Sequence, residues 1–224
     1  MNGFMISPTG IVVIAVYSFV ILMIVLFLSR LMPRFRWKWV VLAPPALVLL
    51  SLPWAEEAWI SWHFKEACKD AGVKVYRQVE VEGFYEGTIG TGYSFIEQYN
   101  FRFMEEKRPD GKIEHTERPE GQWKTTILDR PSARYHVRYA YQPTPYDYEE
   151  PIGWKLRKTE RQVIDSQTGE ILGRQTTVKR VLPTYEALLA GLFGPPIVLC
   201  PSPDVQPYVP PPPFLQAVLK PVLK

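Results

Sequence analysis

The sequence predicts a membrane-anchored α+β fold: two N-terminal transmembrane helices, then a mainly antiparallel β domain with an entry helix and a short C-terminal helix. Three observations lead there. Residues 11–28 carry neither charge nor proline, and a second apolar run ends at Trp54. Every charge in the first 54 residues is basic and falls between those two runs. After Gly72 the apolar residues change from helical spacing to alternation, the period of a strand with one buried face. The expected organisation is a transmembrane hairpin over 1–54, an exported domain over 55–200 and a proline-rich tail over 201–224.

The first span is expected over 11–28. At 1.5 Å per residue it approaches the ~30 Å hydrocarbon core, and a helix satisfies its own backbone in lipid. A cleaved secretory signal fits poorly, because residues 2–10 are uncharged and Ser29-Arg30-Leu31-Met32 follows where a small-residue cleavage site would stand. The second span is expected over 38–54. It is short and holds Pro44 and Pro45, which transmembrane helices accept more readily than soluble ones. Trp37, Trp39 and Trp54 bracket it as an interfacial belt would.

Between the spans, the loop 29–38 carries Arg30, Arg34, Arg36 and Lys38. The positive-inside rule places this loop in the cytoplasm. Both termini and the folded domain then lie on the periplasmic side of a bacterial inner membrane. The chain's formal charge of +3 looks basic, but with the loop's four cations set apart the remainder holds 22 basic against 23 acidic side chains. A nucleic-acid partner is therefore not expected; the basicity reports topology. Outside the cytoplasm the two cysteines, Cys68 and Cys200, are expected to form a disulfide.

Residues 55–71 read as the entry helix, either continuous with the second span or broken from it near Trp54, with Gly72 placed to end it. Val73, Val75, Val79 and Val81 alternate, as do Tyr93, Phe95, Tyr99, Phe101 and Phe103. Each set predicts a half-buried strand. If the two pair, Arg77 and Glu97 could meet as an inward ion pair. The glycines of 83–92 between them read as a loop, since no strand-loop-helix context marks a phosphate cradle. Pro109-Asp110-Gly111-Lys112 is a turn joining antiparallel strands. Residues 135–141 form a further strand, and 154–164 with 171–182 the clearest hairpin. Thr184 to Phe193 predicts a short helix stopped by Gly194-Pro195-Pro196. Beyond it the prolines predict a polyproline II tail, with an apolar patch at Phe214 to Leu219.

No residue set selects a chemistry. His63, Glu66 and Cys68 share a helix but lack zinc spacing; His115 and His136 fall on polar strand faces. No nucleophile motif of the Gly-x-Ser-x-Gly or Ser-x-x-Lys type occurs, and no cofactor or metal is expected. One feature rises above background. Residues 154–182 hold Lys155, Arg157, Lys158, Arg161, Arg174, Lys179 and Arg180 against three carboxylates, whereas 73–120 is net acidic. With Tyr208 and Phe214 of the tail, these basic residues are the candidate contact surface. The expected role is a non-catalytic interaction or accessory protein, with the lipid bilayer and another envelope protein as partners. It would act as an immunity-type inhibitor or a subunit of an envelope complex. The alternative is an envelope enzyme acting on lipid or cell-wall substrate.

Overall fold

The computed structural model describes residues 8–32, 37–87, 96, 100–119, 122–144, 147–181, 198–200 and 213–222. The chain divides into two compact units. The first takes in Met1–Lys69 together with Gly153–Leu156 and Arg180–Val198; the second holds the rest.

In the first unit, helix α1 runs Pro8–Leu31 and helix α2 Lys38–Cys68. Both are long and apolar enough to cross a membrane. Their apolar side chains stay outward: Phe19, Phe27 and Leu47 are 62%, 63% and 66% exposed, a surface that suits lipid. The second span and the entry helix are one unbroken helix. Its 31 residues make a rod of about 46 Å, longer than the ~30 Å hydrocarbon core, so part of α2 extends beyond it. Gly72 (φ +120°) follows the helix end and opens the first strand.

Pro44, Pro45 and Pro53 all sit inside α2. A helical proline cannot donate to the carbonyl four residues back, and for Pro53 that carbonyl belongs to Leu49. The Tyr17 hydroxyl of α1 donates to Leu49 O at 3.0 Å. The neighbouring helix thus supplies the donor that Pro53 withholds, which is how helices in lipid accommodate proline.

The second unit is built on a ten-stranded sheet. The described strands are β1 (Gly72–Val75), β2 (Val79–Val81), β3 (Gly83–Glu86), β4 (Phe103–Lys107), β5 (Ile113–Glu117), β6 (Lys124–Leu128), β7 (Tyr135–Tyr139), β8 (Glu150–Gly153), β9 (Leu156–Asp165), β10 (Ile171–Arg180), β11 (Val198–Cys200) and β12 (Leu219–Pro221), of which β2 and β12 form a separate two-stranded sheet. The sheet order is β1-β10-β9-β7-β3-β4-β5-β6, with β11 on β10 and β8 on β9. The pairs β1–β10, β4–β5, β5–β6 and β7–β9 are antiparallel. The exception in this sheet is β3, which runs parallel to both β4 and β7. Its burial fits that place: Gly83, Phe84 and Glu86 are all buried, as parallel strands usually are on both faces.

The expected turn at Pro109–Lys112 joins β4 to β5, with Gly111 at φ +85°. The hairpin of β9 and β10 closes through Gly169 at φ +75°. The single strand expected over 73–81 is two strands, because Tyr76 N and Arg77 N both donate to Leu172 O and turn the chain. Arg77 meets Glu170 at the surface, 3.1 Å away; Glu97 lies outside the described residues. So does most of the strand expected over 93–103, of which Phe103 opens β4. The helix expected over 184–193 also lies outside them.

The end of the chain differs from an extended tail. Residues 201–212 lie outside the description, but Pro213–Val218 is a short helix, α3, leading into β12. Strand β12 pairs parallel with β2, Leu219 facing Val79. Phe214, Leu215, Val218 and Leu219 are buried in the same core as Val81, Phe84, Met104, Val137, Val163 and Leu172. Close approach is allowed by Gly173, where a Cβ would lie 2.5 Å from Val218 Cγ2. The apolar patch read as an appendage is core, because four adjacent large side chains have more to gain from burial than from exposure.

Candidate functional site

Among the described residues three carboxylates are wholly buried, Glu57, Glu86 and Glu105, and each is committed to donors. Glu105 on β4 accepts from Ser132 N (2.9 Å), Ala133 N (3.0 Å), the Ser132 hydroxyl and His115 Nδ1 (3.0 Å). Serine, histidine and glutamate invite comparison with a nucleophilic relay, in which imidazole stands between hydroxyl and carboxylate. Here the carboxylate stands between the other two, and the hydroxyl hydrogen faces Glu105 rather than His115. The cluster pins the turn at 131–133 to the sheet, while the His115 ring stacks on Phe103 at 4.8 Å.

Glu86 on β3 pairs with Arg161 of β9 inside the second unit. Burial first, and then the neighbouring Glu86 carboxylate, push the Tyr85 phenol up; burial does the same for Tyr139. At the β9–β10 turn, Arg134 Nε and Nη2 bracket the Asp165 carboxylate at 2.7–3.1 Å. That hydrogen bonding, helped by Gln167 N, brings the Asp165 pKa down from 3.8 to about 2 against the opposing cost of desolvation.

The first unit carries the third carboxylate. Glu57 of α2 meets Arg180, the last residue of β10, and accepts from Ser61 Oγ at 2.8 Å. One residue earlier, Glu56 Oε1 accepts from Trp154 Nε1 at 3.2 Å. Lys155 Nζ lies 5.5 Å from the Trp154 ring centre, and Lys155 O accepts from Val181 N at 2.8 Å. The C-terminal half of α2 thus gathers the turn 153–156 and the end of β10. Glu56 and Glu57 read in sequence as helix-start residues; an acidic pair directly after an apolar run was the available signal for this junction.

The expected basic surface is largely spent within the chain. Lys158 bonds to Glu150 at 3.0 Å, which raises its pKa, and approaches Glu160 at 3.5 Å. Lys179 meets Glu149 at 2.9 Å. Arg161 and Arg180 are buried with their carboxylates, so neither offers a charge to a partner. The Nε atoms of Arg161 and Arg174 are themselves buried. Arg157 also has a partner inside the protein. Phe214 is core and is withdrawn from the surface for that reason. Tyr208, Arg34 and Arg36 lie outside the described residues, as does the Lys38 side chain; Arg30 is exposed in the last turn of α1. Cys68 and Cys200, the chain's two cysteines, are disulfide-bonded.

Sequence alternation did not mark β6. This strand is an edge of the large sheet, and its residues Lys124, Thr125, Thr126 and Ile127 are exposed in succession. Beside it Trp123 is 42% exposed, with the Arg118 guanidinium 5.2 Å from its ring centre. Comparison with known proteins finds no matching family model, no similar curated protein and no similar solved structure.

Proposed function

We propose that this is a non-catalytic interaction protein, held by its α1–α2 hairpin at the outer face of a bacterial inner membrane, with the sheet unit on the periplasmic side. Its partner is another envelope protein, which it serves as inhibitor or as subunit of a complex. The exposed edge β6 carries this reading. An edge strand presents a row of backbone donors and acceptors, and proteins that avoid pairing guard such rows with charge or proline. Thr125, Thr126 and Ile127 provide neither, and Lys124 is turned to Glu117 at 3.2 Å. A partner's strand can extend the sheet there. The buried carboxylates support a scaffold rather than a reaction centre, since each already serves a cation or backbone donors.

The test is a photo-crosslinking amino acid at Thr126 in intact cells. Crosslinking to one envelope protein, abolished by Ile127→Lys in a protein that still folds, is the expected outcome. Crosslinking that survives Ile127→Lys removes the edge from the mechanism.

A further inference from the structure

The turn between β8 and β9 is a candidate for contact with the lipid surface. Gly153 at φ +150° and Lys155 at φ +61° bend it sharply around Trp154. The turn is held from behind by buried Leu156 and by the bond from Val181 N to Lys155 O. Trp154 projects from it, 57% exposed, although its indole N–H is already bonded to Glu56. An apolar ring kept out of the core by a fixed backbone needs a reason.

The helical hairpin supplies one. The bond from Tyr17 to Leu49 sets the level of α1 against α2. Because the helices are antiparallel, each step back along α1 matches a step forward along α2, so Ile11, where the charge-free run begins, lies level with about Ala55. The apolar slab therefore ends at Trp54 and Ala55, and Glu56 stands at its outer edge. The hydrogen bond to Glu56 holds the Trp154 ring at that same level. Trp54 and Trp59 of α2 are also exposed there, forming a belt of the kind that aromatic side chains make at headgroup depth. Lys155 adds a cation beside the ring, suited to anionic headgroups.

We propose that Trp154 and Lys155 form a second, interfacial membrane contact, in which the indole lies among the headgroups of an anionic bilayer and Lys155 faces their phosphates. This rests on the reading that the hairpin spans the membrane, and the experiment separates the two. With Cys68 and Cys200 oxidised, a single added cysteine takes an environment-sensitive fluorophore. The full chain carrying Trp154→Cys or Leu47→Cys is reconstituted in phosphatidylglycerol-containing vesicles, either free of nitroxide or with nitroxide lipids labelled at the headgroup or in mid-chain.

The expected result is loss of emission at position 47 with mid-chain nitroxide and at position 154 with headgroup nitroxide, each against the same protein in nitroxide-free vesicles. Quenching at 47 while 154 keeps its nitroxide-free emission overturns the interfacial contact and leaves the anchor standing. No mid-chain quenching at 47 overturns the spanning hairpin, and this proposal with it. Should the labelled turn not fold, Trp154→Phe in the unlabelled protein decides. Tryptophan quenching by shallow brominated lipid should fall relative to wild type, and equal quenching overturns the contact.

Discussion

Tyr17 and Pro53 show how much of this protein turns on single atoms. A proline in an apolar segment is visible in the sequence, and so is its missing donor; which residue makes good the loss is not, because Tyr17 and Leu49 are brought together only by the hairpin. Tyr17→Phe leaves the Leu49 carbonyl without that donor, in lipid if the hairpin spans as proposed. By the size of interhelical hydrogen bonds in membranes, it should destabilise the hairpin by about 0.6 to 1.7 kcal/mol, measurable by steric trapping or denaturation in mixed micelles. Asp165 offers a pH test. Folding holds its carboxyl at about 2, below the ordinary 3.8, through Arg134. Its contribution to stability is therefore complete above the unfolded value and is lost as pH falls from there toward 2. Asp165→Asn should lower stability at neutral pH and flatten the acid limb between those two values in urea titrations. Asp165 sat in an expected turn, but nothing in the spacing linked it to Arg134.

Among the elements, those made by neighbours in sequence were the legible ones. Turn chemistry marked the β4–β5 turn at Gly111 and the β9–β10 hairpin, because their partners are a few residues away, whereas β7, whose partners are distant, was marked by its alternation alone. Strand β3 was hidden, since parallel pairing needs a crossover and leaves no short turn to recognise. Strand β12 was hidden for a different reason: its partner β2 lies more than a hundred residues earlier, and prolines before it suggested an extended tail. Removing residues 201–224 would therefore take away α3 and β12 as well as the tail. At about 1.5–3 kcal/mol for each buried apolar side chain, loss of Phe214, Leu215, Val218 and Leu219 approaches the whole stability of an ordinary domain, ~5–15 kcal/mol. A milder variant, Phe214→Ala, should cost about 3–5 kcal/mol. A urea midpoint unchanged by Phe214→Ala would contradict the buried placement of α3.

For the molecule as a whole, the organising covalent bond joins Cys68 at the end of α2 to Cys200 in β11. This was expected from the compartment that the basic loop implies. The loop it closes exceeds a hundred residues, and in the chain-entropy model such a bridge contributes about 4–5 kcal/mol. Paired Cys68→Ser and Cys200→Ser substitutions should shift the denaturant midpoint accordingly, and reductant should do the same to the wild type but not to the variant. The partition of charge was also legible at this scale, because it depends on counting. The ion pairs that use up Arg161, Arg180, Lys158 and Lys179 were not, since counting cannot see which charges fold against each other.

Under the proposed spanning reading, the Leu49 carbonyl also bears on how the helices would enter a bilayer. On its own, the second helix would carry an unmet acceptor into lipid; Tyr17 of the first helix supplies a donor. If the hairpin spans a bilayer as proposed, the two helices would favour entering it as a pair, the earlier helix meeting the need that Pro53 creates in the later one.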